Sequence, residues 1–269
     1  MTILISIISA LASAGVFYLT GLYTEWYWYF LPILMYFPLY IVTFVALVAL
    51  AAFIGLFFSK KKPVEKPHPF FYAVTVNAIR QVLMFLRIKT HMSGLDKLPE
   101  GGFVVIYNHT SAFDPLVLLA NIPVKRIVMI SKPENEKIPV VGKYMHMSGY
   151  LTINRTSPIK AKKTVDKSAE WIKNGIASVA ISPEGTRSKT GELLPFRAAP
   201  FSTAKKACCP IVVAALRFGN KPMKGFPFKT THVYLDLVET IQPETYDAMN
   251  SFELSDYARE KMLEGLGKK

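Results

Sequence analysis

His109 and Asp114 are the pair whose types and spacing suit proton transfer. They stand in Asn108-His109-Thr110-Ser111-Ala112-Phe113-Asp114-Pro115, directly after the apolar run FVVIY at 103–107. Such a run predicts a buried strand, which puts His109 at a strand's carboxyl end. In open α/β sheets that edge is where ligands bind. Asp114-Pro115 reads as a helix N-cap followed by proline at the first helical position. On one continuous helix the two side chains would point ~140° apart, so a loop must fold back for them to meet. The carboxylate then accepts from one imidazole nitrogen and fixes the tautomer. The other nitrogen is left to take a proton from a hydroxyl. On spacing alone, a capping aspartate beside an unrelated surface histidine fits as well.

A second constellation, Ser182-Pro183-Glu184-Gly185-Thr186-Arg187-Ser188, follows the apolar residues Val179, Ala180 and Ile181 and falls on the same strand edge. Gly185 permits a tight turn that exposes backbone N–H groups. Arg187 offers a planar fork suited to phosphate. An ordinary glycine turn with a solvated arginine is the alternative. Arg155 ends the strand-like run 149–154, and Lys132 follows RIVMIS; each would equally suit a surface position. His68, His91, His146 and His232 have no carboxylate at a suggestive spacing and read as structural. Cys208 and Cys209 read as small buried hydrophobes at a strand start. The chain lacks G-x-S-x-G, G-x-x-x-x-G-K-[ST], G-x-G-x-x-G and H-E-x-x-H, so nothing supports a serine hydrolase, P-loop nucleotidase, dinucleotide enzyme or zincin.

The elements that must position these groups alternate. Strands are expected at 87–92, 103–107, 126–131, 149–153, 177–182, 211–217 and 231–239. Helices are expected at 70–87, 115–121, 138–147, 159–174, 198–207 and 254–266. Alternation of this kind predicts an α/β domain with a mostly parallel sheet flanked by helices. No internal repeat interrupts it.

Half of the 269 residues are hydrophobic (51%) and 19% are charged, which excludes a disordered or collagen-like chain. Residues 2–23 and 31–58 carry no charge, and each is long enough to cross a bilayer core of ~30 Å. Thr24 to Phe30, rich in Trp and Tyr, suits the headgroup level between them. Lys60, Lys61, Lys62 and Lys66 follow, which places the large domain on the cytoplasmic side of the cell membrane by the positive-inside rule. Two other readings stay open. Ala12-Ser13-Ala14 resembles a signal-peptide cleavage site, and Pro32 and Pro38 would bend a hairpin that never crosses fully. The expected division is a membrane-anchoring helical hairpin and linker over 1–66 and a catalytic domain over 67–269. Residues 1–59 hold no Lys or Arg and one acid, Glu25. All 32 basic side chains therefore stand against 18 of the 19 acidic ones in the remainder. Anionic partners follow: a phosphate substrate, an anionic membrane surface, or nucleic acid.

Taken together, these blocks resemble the 1-acyl-sn-glycerol-3-phosphate acyltransferases, a family of glycerolipid acyltransferases. Asn108-His109 through Asp114 is similar to the family's N-H-x-x-x-x-D block. Gly149 to Arg155 resembles its second block, Pro183 to Ser188 its P-E-G-T-R-S block, and Cys209-Pro210-Ile211-Val212-Val213 its apolar fourth block. The likeness runs from about residue 85 to 216. Two departures are Ala214, where the family usually has a second proline, and Phe196-Arg197-Ala198-Ala199-Pro200, which lacks a usual glycine.

The resemblance implies transfer of a fatty acyl group from an acyl thioester, acyl-CoA or acyl carrier protein, to lysophosphatidic acid, giving phosphatidic acid. His109 would be the base and Asp114 its orienting partner, with no acyl-enzyme. Lys132 would stabilise the oxyanion. Asn108, Arg155, Glu184, Gly185, Thr186 and Arg187 would bind substrate, around the acceptor's phosphate. No metal or bound cofactor is implied. Another lysophospholipid, glycerol-3-phosphate or an amino-lipid remains an alternative acceptor. A non-catalytic lipid-binding protein would explain the charge but not the His–Asp pair. A nucleic-acid partner fits an uncharged membrane hairpin poorly.

Overall fold

The computed structural model describes residues 2–58, 64–153 and 157–267. The chain divides into two compact units, Met1–Lys62 and Pro63–Lys269.

The first unit pairs helix α1 (Thr2–Leu19) with α2 (Leu31–Leu56) through 3-10 turns at Leu22–Thr24 and Trp26–Phe30. α1 stops short of the expected residue 23, and Gly21 just beyond it takes a left-handed φ of 68°. Its 18 residues reach about 27 Å at 1.5 Å each, less than a full crossing. Among the described residues, Trp28–Leu56 is long and apolar enough to cross a membrane and Leu4–Leu19 is a shorter apolar helix, consistent with the expected hairpin. α2 continues unbroken through Pro38. Ile5, Ser9 and Ser13, four residues apart, form the buried stripe of α1. Ser9 Oγ donates to the Ile5 carbonyl at 2.7 Å and lies 3.3 Å from Thr43 Oγ1, and Ser13 Oγ donates to the Pro32 carbonyl at 2.5 Å. Small hydroxyl residues at such a seam let two helices approach closely where no water competes for their hydrogen bonds.

The second unit follows the order α3 (Pro69–Phe85), β1 (Ile88–Ser93), β2 (Val104–Tyr107), α4 (Asp114–Asn121), β3 (Ile127–Ser131), α5 (Val141–Met147), β4 (Leu151–Thr152) and α6 (Pro158–Lys173). It continues with β5 (Ser178–Ile181), α7 (Phe201–Ala207), β6 (Ile211–Phe218), β7 (Thr231–Ile241), α8 (Pro243–Tyr246) and α9 (Ser251–Gly267). The sheet runs β1-β7-β6-β2-β5-β3-β4, and every neighbouring pair is parallel except β6 with β7.

The inner strands VVIY, SVAI and IVVAAL are buried along their whole length, as strands covered on both faces must be. Successive residues of β2 serve opposite faces. Val104 and Ile106 pack with Trp171 of α6, Phe201 of α7 and Leu254 of α9. Val105 and Tyr107 pack with Leu83 of α3 and Leu118 of α4. Two helices begin later than their apolar pattern suggests. Ile138, before Pro139, is extended at ψ 123°, as residues before proline tend to be, and Val140 takes a positive φ of 60°, so α5 starts only at Val141. α7 starts after its N-cap Pro200.

Candidate active site

The carboxyl ends of β2, β5 and β3 come level through the register. Tyr107 of β2 pairs with Ala214 of β6, Ile106 with Ile181 of β5, and Met129 of β3 with Ala180 of β5. The residues that leave these strands, Asn108, Ser182 and Lys132, therefore emerge along one edge.

His109 and Asp114 meet there. His109 Nδ1 lies 2.9 Å from Asp114 Oδ2. The imidazole is 24% exposed and the carboxylate 0%. The expected N-cap role of Asp114 is corrected: α4 starts at Asp114 itself, its N-cap is Phe113, and the carboxylate turns back into the preceding loop. Oδ2 accepts from the N–H groups of Thr110 and Ser111, each at 2.7 Å, as well as from His109. Oδ1 is buried with no hydrogen-bond partner among the described residues. A buried carboxylate fixed by two amides holds Nδ1 as the protonated nitrogen. Nε2, the other ring nitrogen, remains the acceptor. Tyr107 lies edge-on to the imidazole, with ring centroids 6.1 Å apart. Burial pushes its phenol well above the usual range, helped by the negative charge of Asp114, so its hydroxyl stays protonated.

The loop after β5 clamps the backbone of His109 on both sides. The His109 N–H donates to Glu184 Oε1 at 2.5 Å, and the His109 carbonyl accepts from the Ser188 N–H at 2.8 Å. Glu184 Oε2 accepts from the Leu194 N–H at 2.9 Å. Arg259 of α9 holds the same segment by donating to the Leu193 carbonyl at 3.2 Å. Glu184 is 3% exposed, and burial raises its pKa, opposed by the amide bonds from His109 and Leu194. Both Glu184 oxygens accept backbone N–H groups, so its side chain is held between the His109 and Leu194 segments.

Asn108 is likewise engaged with backbone groups. Its Nδ2 donates to the Leu216 carbonyl at 2.9 Å, and its Oδ1 accepts from the Leu216 N–H at 2.7 Å. At 2% exposure its amide fastens β2 to β6 instead of facing a ligand. Gly185 turns the loop at φ 71°, where a side chain would be strained. Thr186 and Arg187 are exposed on that turn, and Lys132 is exposed at the end of β3. Arg155 lies outside the described residues. Ala214 is buried in β6, beside the register shift at Val213/Ala214, and so lies within the sheet. Both cysteines are free. Burial pushes the Cys209 thiol up to about 12, whereas Cys208 is exposed, against the expectation of two buried side chains. Among the described residues, no three His, Cys, Asp or Glu side chains gather as metal ligands.

Residues 89–217, which span the His–Asp pair and the Glu184 loop, match the family model Acyltransferase. The matched stretch is just under half of the chain. The chain is similar to the chloroplastic 1-acyl-sn-glycerol-3-phosphate acyltransferase BAT2 of Brassica napus, at 36% identity over 50% of this chain and 39% of that protein. A putative 1-acyl-sn-glycerol-3-phosphate acyltransferase of Caenorhabditis elegans, acl-2, is 29% identical over 65% of this chain and 64% of its own length. The 1-acyl-sn-glycerol-3-phosphate acyltransferase of Saccharomyces cerevisiae is 26% identical over 68% and 61%. The chain thus spans between two fifths and two thirds of these relatives. The crystal structure of the 1-acyl-sn-glycerophosphate acyltransferase PlsC from Thermotoga maritima shares the fold at a TM-score of 0.55. It covers 100% of this chain and 99% of its own, at 19% identity.

Proposed function

We propose that the protein is a membrane-anchored acyltransferase that converts lysophosphatidic acid to phosphatidic acid. One observation carries the reading: a buried Asp114 carboxylate 2.9 Å from His109 Nδ1, at the sheet edge where the acyltransferase domain gathers its loops. His109 Nε2 takes the proton of the acceptor's free hydroxyl as the oxygen attacks the thioester carbonyl. The C–O bond forms, the C–S bond breaks, and the imidazolium returns the proton to the departing thiolate. Lys132 offers positive charge to the carbonyl oxygen as it becomes an oxyanion. Arg187 and Arg155 bind the acceptor phosphate, with Gly185 and Thr186 shaping the turn that presents Arg187. The acyl donor is acyl-CoA or acyl carrier protein, and no resident cofactor takes part.

α1 and α2 anchor the enzyme, with the catalytic unit on the cytoplasmic side, as the basic residues Lys60, Lys61, Lys62 and Lys66 favour. The first three of these lie outside the described residues. The reading is tested by incubating purified protein with acyl-CoA or acyl carrier protein and a panel of lysolipids, with products read by mass spectrometry. Phosphatidic acid should form fastest. Acylation of a different lysolipid alone would replace the acceptor. No acylated product from any pair would overturn the activity.

A further inference from the structure

The edge that carries His109 also carries a wall of exposed apolar and cationic side chains that the chemistry above does not use. β6 passes Ala214, the partner of Tyr107, and continues to Phe218. Phe218 is level with Val233 of β7 and Thr90 of β1. The far ends of these three strands therefore project beyond the level at which His109 leaves β2, and the segment 219–230 joins β6 to β7 at their tip. Backbone turns tie that segment to itself: Lys224 N–H to the Lys221 carbonyl, Phe226 N–H to Met223, and Phe228 N–H to Gly225. The Thr231 N–H donates to the Arg87 carbonyl at 2.9 Å, which ties its base to the end of α3.

The tip leaves its apolar side chains outside. Phe228 is 88% exposed and Met223 47%. Phe226 meets Phe85 of α3 at 5.7 Å between ring centroids, and Phe85 and Met84 are themselves half exposed. Around them stand Lys221, Lys224, Lys229, Arg87, Lys89 and Arg80, and neither 80–93 nor 219–230 contains an Asp or Glu. Arg80, Arg87 and Lys89 also border a cavity of about 470 Å³ floored by Leu83 and Ile88. A soluble protein gains nothing by exposing a phenylalanine on a hydrogen-bonded turn among cations whose own segments carry no acid. An anionic bilayer satisfies both, since its headgroups attract Lys and Arg and its interface accepts aromatic rings.

We infer that the 219–230 tip and the end of α3 dock on an anionic bilayer surface, with Phe228 and Met223 entering the interface beside the active-site edge. The catalytic unit would then hold its own membrane contact, separate from α1 and α2. The inference rests on surface chemistry and does not require the reaction proposed above.

The full chain is reconstituted in vesicles with a nitroxide at Phe228→Cys in a Cys208→Ser background, and a matched label at Lys162→Cys on α6 serves as control. Collision with oxygen and with a water-soluble nickel chelate reports depth. In vesicles containing phosphatidylglycerol, the label at 228 should favour oxygen and the label at 162 the chelate. Exchanging Lys221, Lys224 and Lys229 together for Gln should return the label at 228 to the control value. The docking is overturned if the two labels behave alike, or if 228 inserts equally in pure phosphatidylcholine and ignores the lysine exchange. Neither outcome bears on turnover, so the acyltransferase reading stands or falls separately, on whether acylated lipid forms.

Discussion

Glu184 holds His109 by its backbone, not by its ring: the His109 N–H donates to Glu184 Oε1 at 2.5 Å, 75 residues away in sequence. Its other oxygen takes the Leu194 N–H, so one side chain fixes the height of the base and the path of the next loop. Glu184→Gln keeps one acceptor and turns an NH2 group toward the second amide. Melting temperature should fall, and kcat should drop by roughly tenfold while acceptor KM stays put, since Glu184 positions the base without touching substrate. A rise in acceptor KM with kcat retained would return Glu184 to the substrate.

The same residue gives stability a dependence on pH. Burial raises its pKa above the ordinary glutamate value. A carboxyl whose folded pKa exceeds its unfolded one contributes fully below the unfolded value, about 4.3, and loses that contribution as pH rises through the folded value. Wild type should therefore lose stability relative to Glu184→Gln as pH climbs from about 4.3 through the raised value. Melting curves of both proteins across that range check it. A difference that does not change with pH would show that the amide bonds cancel the burial.

Asn108 should behave as a structural clamp. Asn108→Ala removes both bonds to Leu216 and strands a buried N–H and C=O, at about 1–3 kcal/mol each. Stability should fall markedly, with acceptor KM nearly unchanged in whatever protein remains folded. An intact melting temperature with a raised acceptor KM would mean that the amide leaves Leu216 to bind substrate.

His109→Ala should remove activity while barely moving stability, because the ring is partly exposed and its backbone bonds survive the substitution. The expected loss is about 10²–10⁴-fold in kcat. Asp114→Asn should approach it, since the amide cannot hold the same tautomer. Unlike a simple cap exchange, it also weakens the bonds from Thr110 and Ser111, so a modest fall in melting temperature accompanies it. Asp114→Asn with full activity would leave the carboxylate a role in loop structure alone.

Legibility in the sequence divides along range. Local pattern was enough for the strands. FVVIY, SVAI and IVVAAL are short, β-branched and flanked by turn residues, so periodicity placed them nearly to the residue. The His109–Asp114 pairing was within local reach, because only five residues separate the partners, yet spacing alone left an unrelated capping aspartate equally open. The N-cap reading of Asp114 failed because its carboxylate prefers two loop amides behind it to the amides of its own helix, a choice set by the fold of 108–113. The backbone partners of Asn108 and Glu184 were illegible for a different reason. They lie 108 and 75 residues away, and only the sheet order β6-β2-β5 brings them together. A buried acid beside a glycine turn carries no sign, in one dimension, of which amides it will meet. The end of α1 was lost to Thr20-Gly21, where a left-handed glycine stops a helix that hydropathy alone would extend.

Arg187 stands exposed on the Gly185 turn, held against the His109 segment by the Ser188 bond, and this supports its placement on the acceptor phosphate. A guanidinium grips two phosphate oxygens, and lysine cannot copy the fork. A charged hydrogen bond contributes about 1.5–3 kcal/mol. Arg187→Ala should therefore raise acceptor KM by roughly ten- to a hundredfold, and Arg187→Lys should recover only part. The exposed site predicts that the penalty shrinks at high ionic strength. An unchanged acceptor KM with a raised donor KM would assign the loop to the acyl carrier instead.

The last prediction separates anchoring from chemistry. The core of the second unit is built from its own residues on both faces of the sheet, from Phe71 to Met262. The first unit offers no Lys or Arg before Lys60 to hold a phosphate. A chain beginning at Pro63 should therefore fold, melt cooperatively and leave the detergent-requiring fraction. Its turnover of short-chain, water-soluble lysophosphatidate and acyl-CoA should stay within about threefold of the full chain, because His109, Asp114 and the Glu184 clamp all lie beyond the cut. On substrate presented in vesicles it should fall much further, by the loss of effective concentration that an anchor provides. A well-folded truncation with no activity on soluble substrate would show that α1 or α2 shapes the acyl site and is more than an anchor.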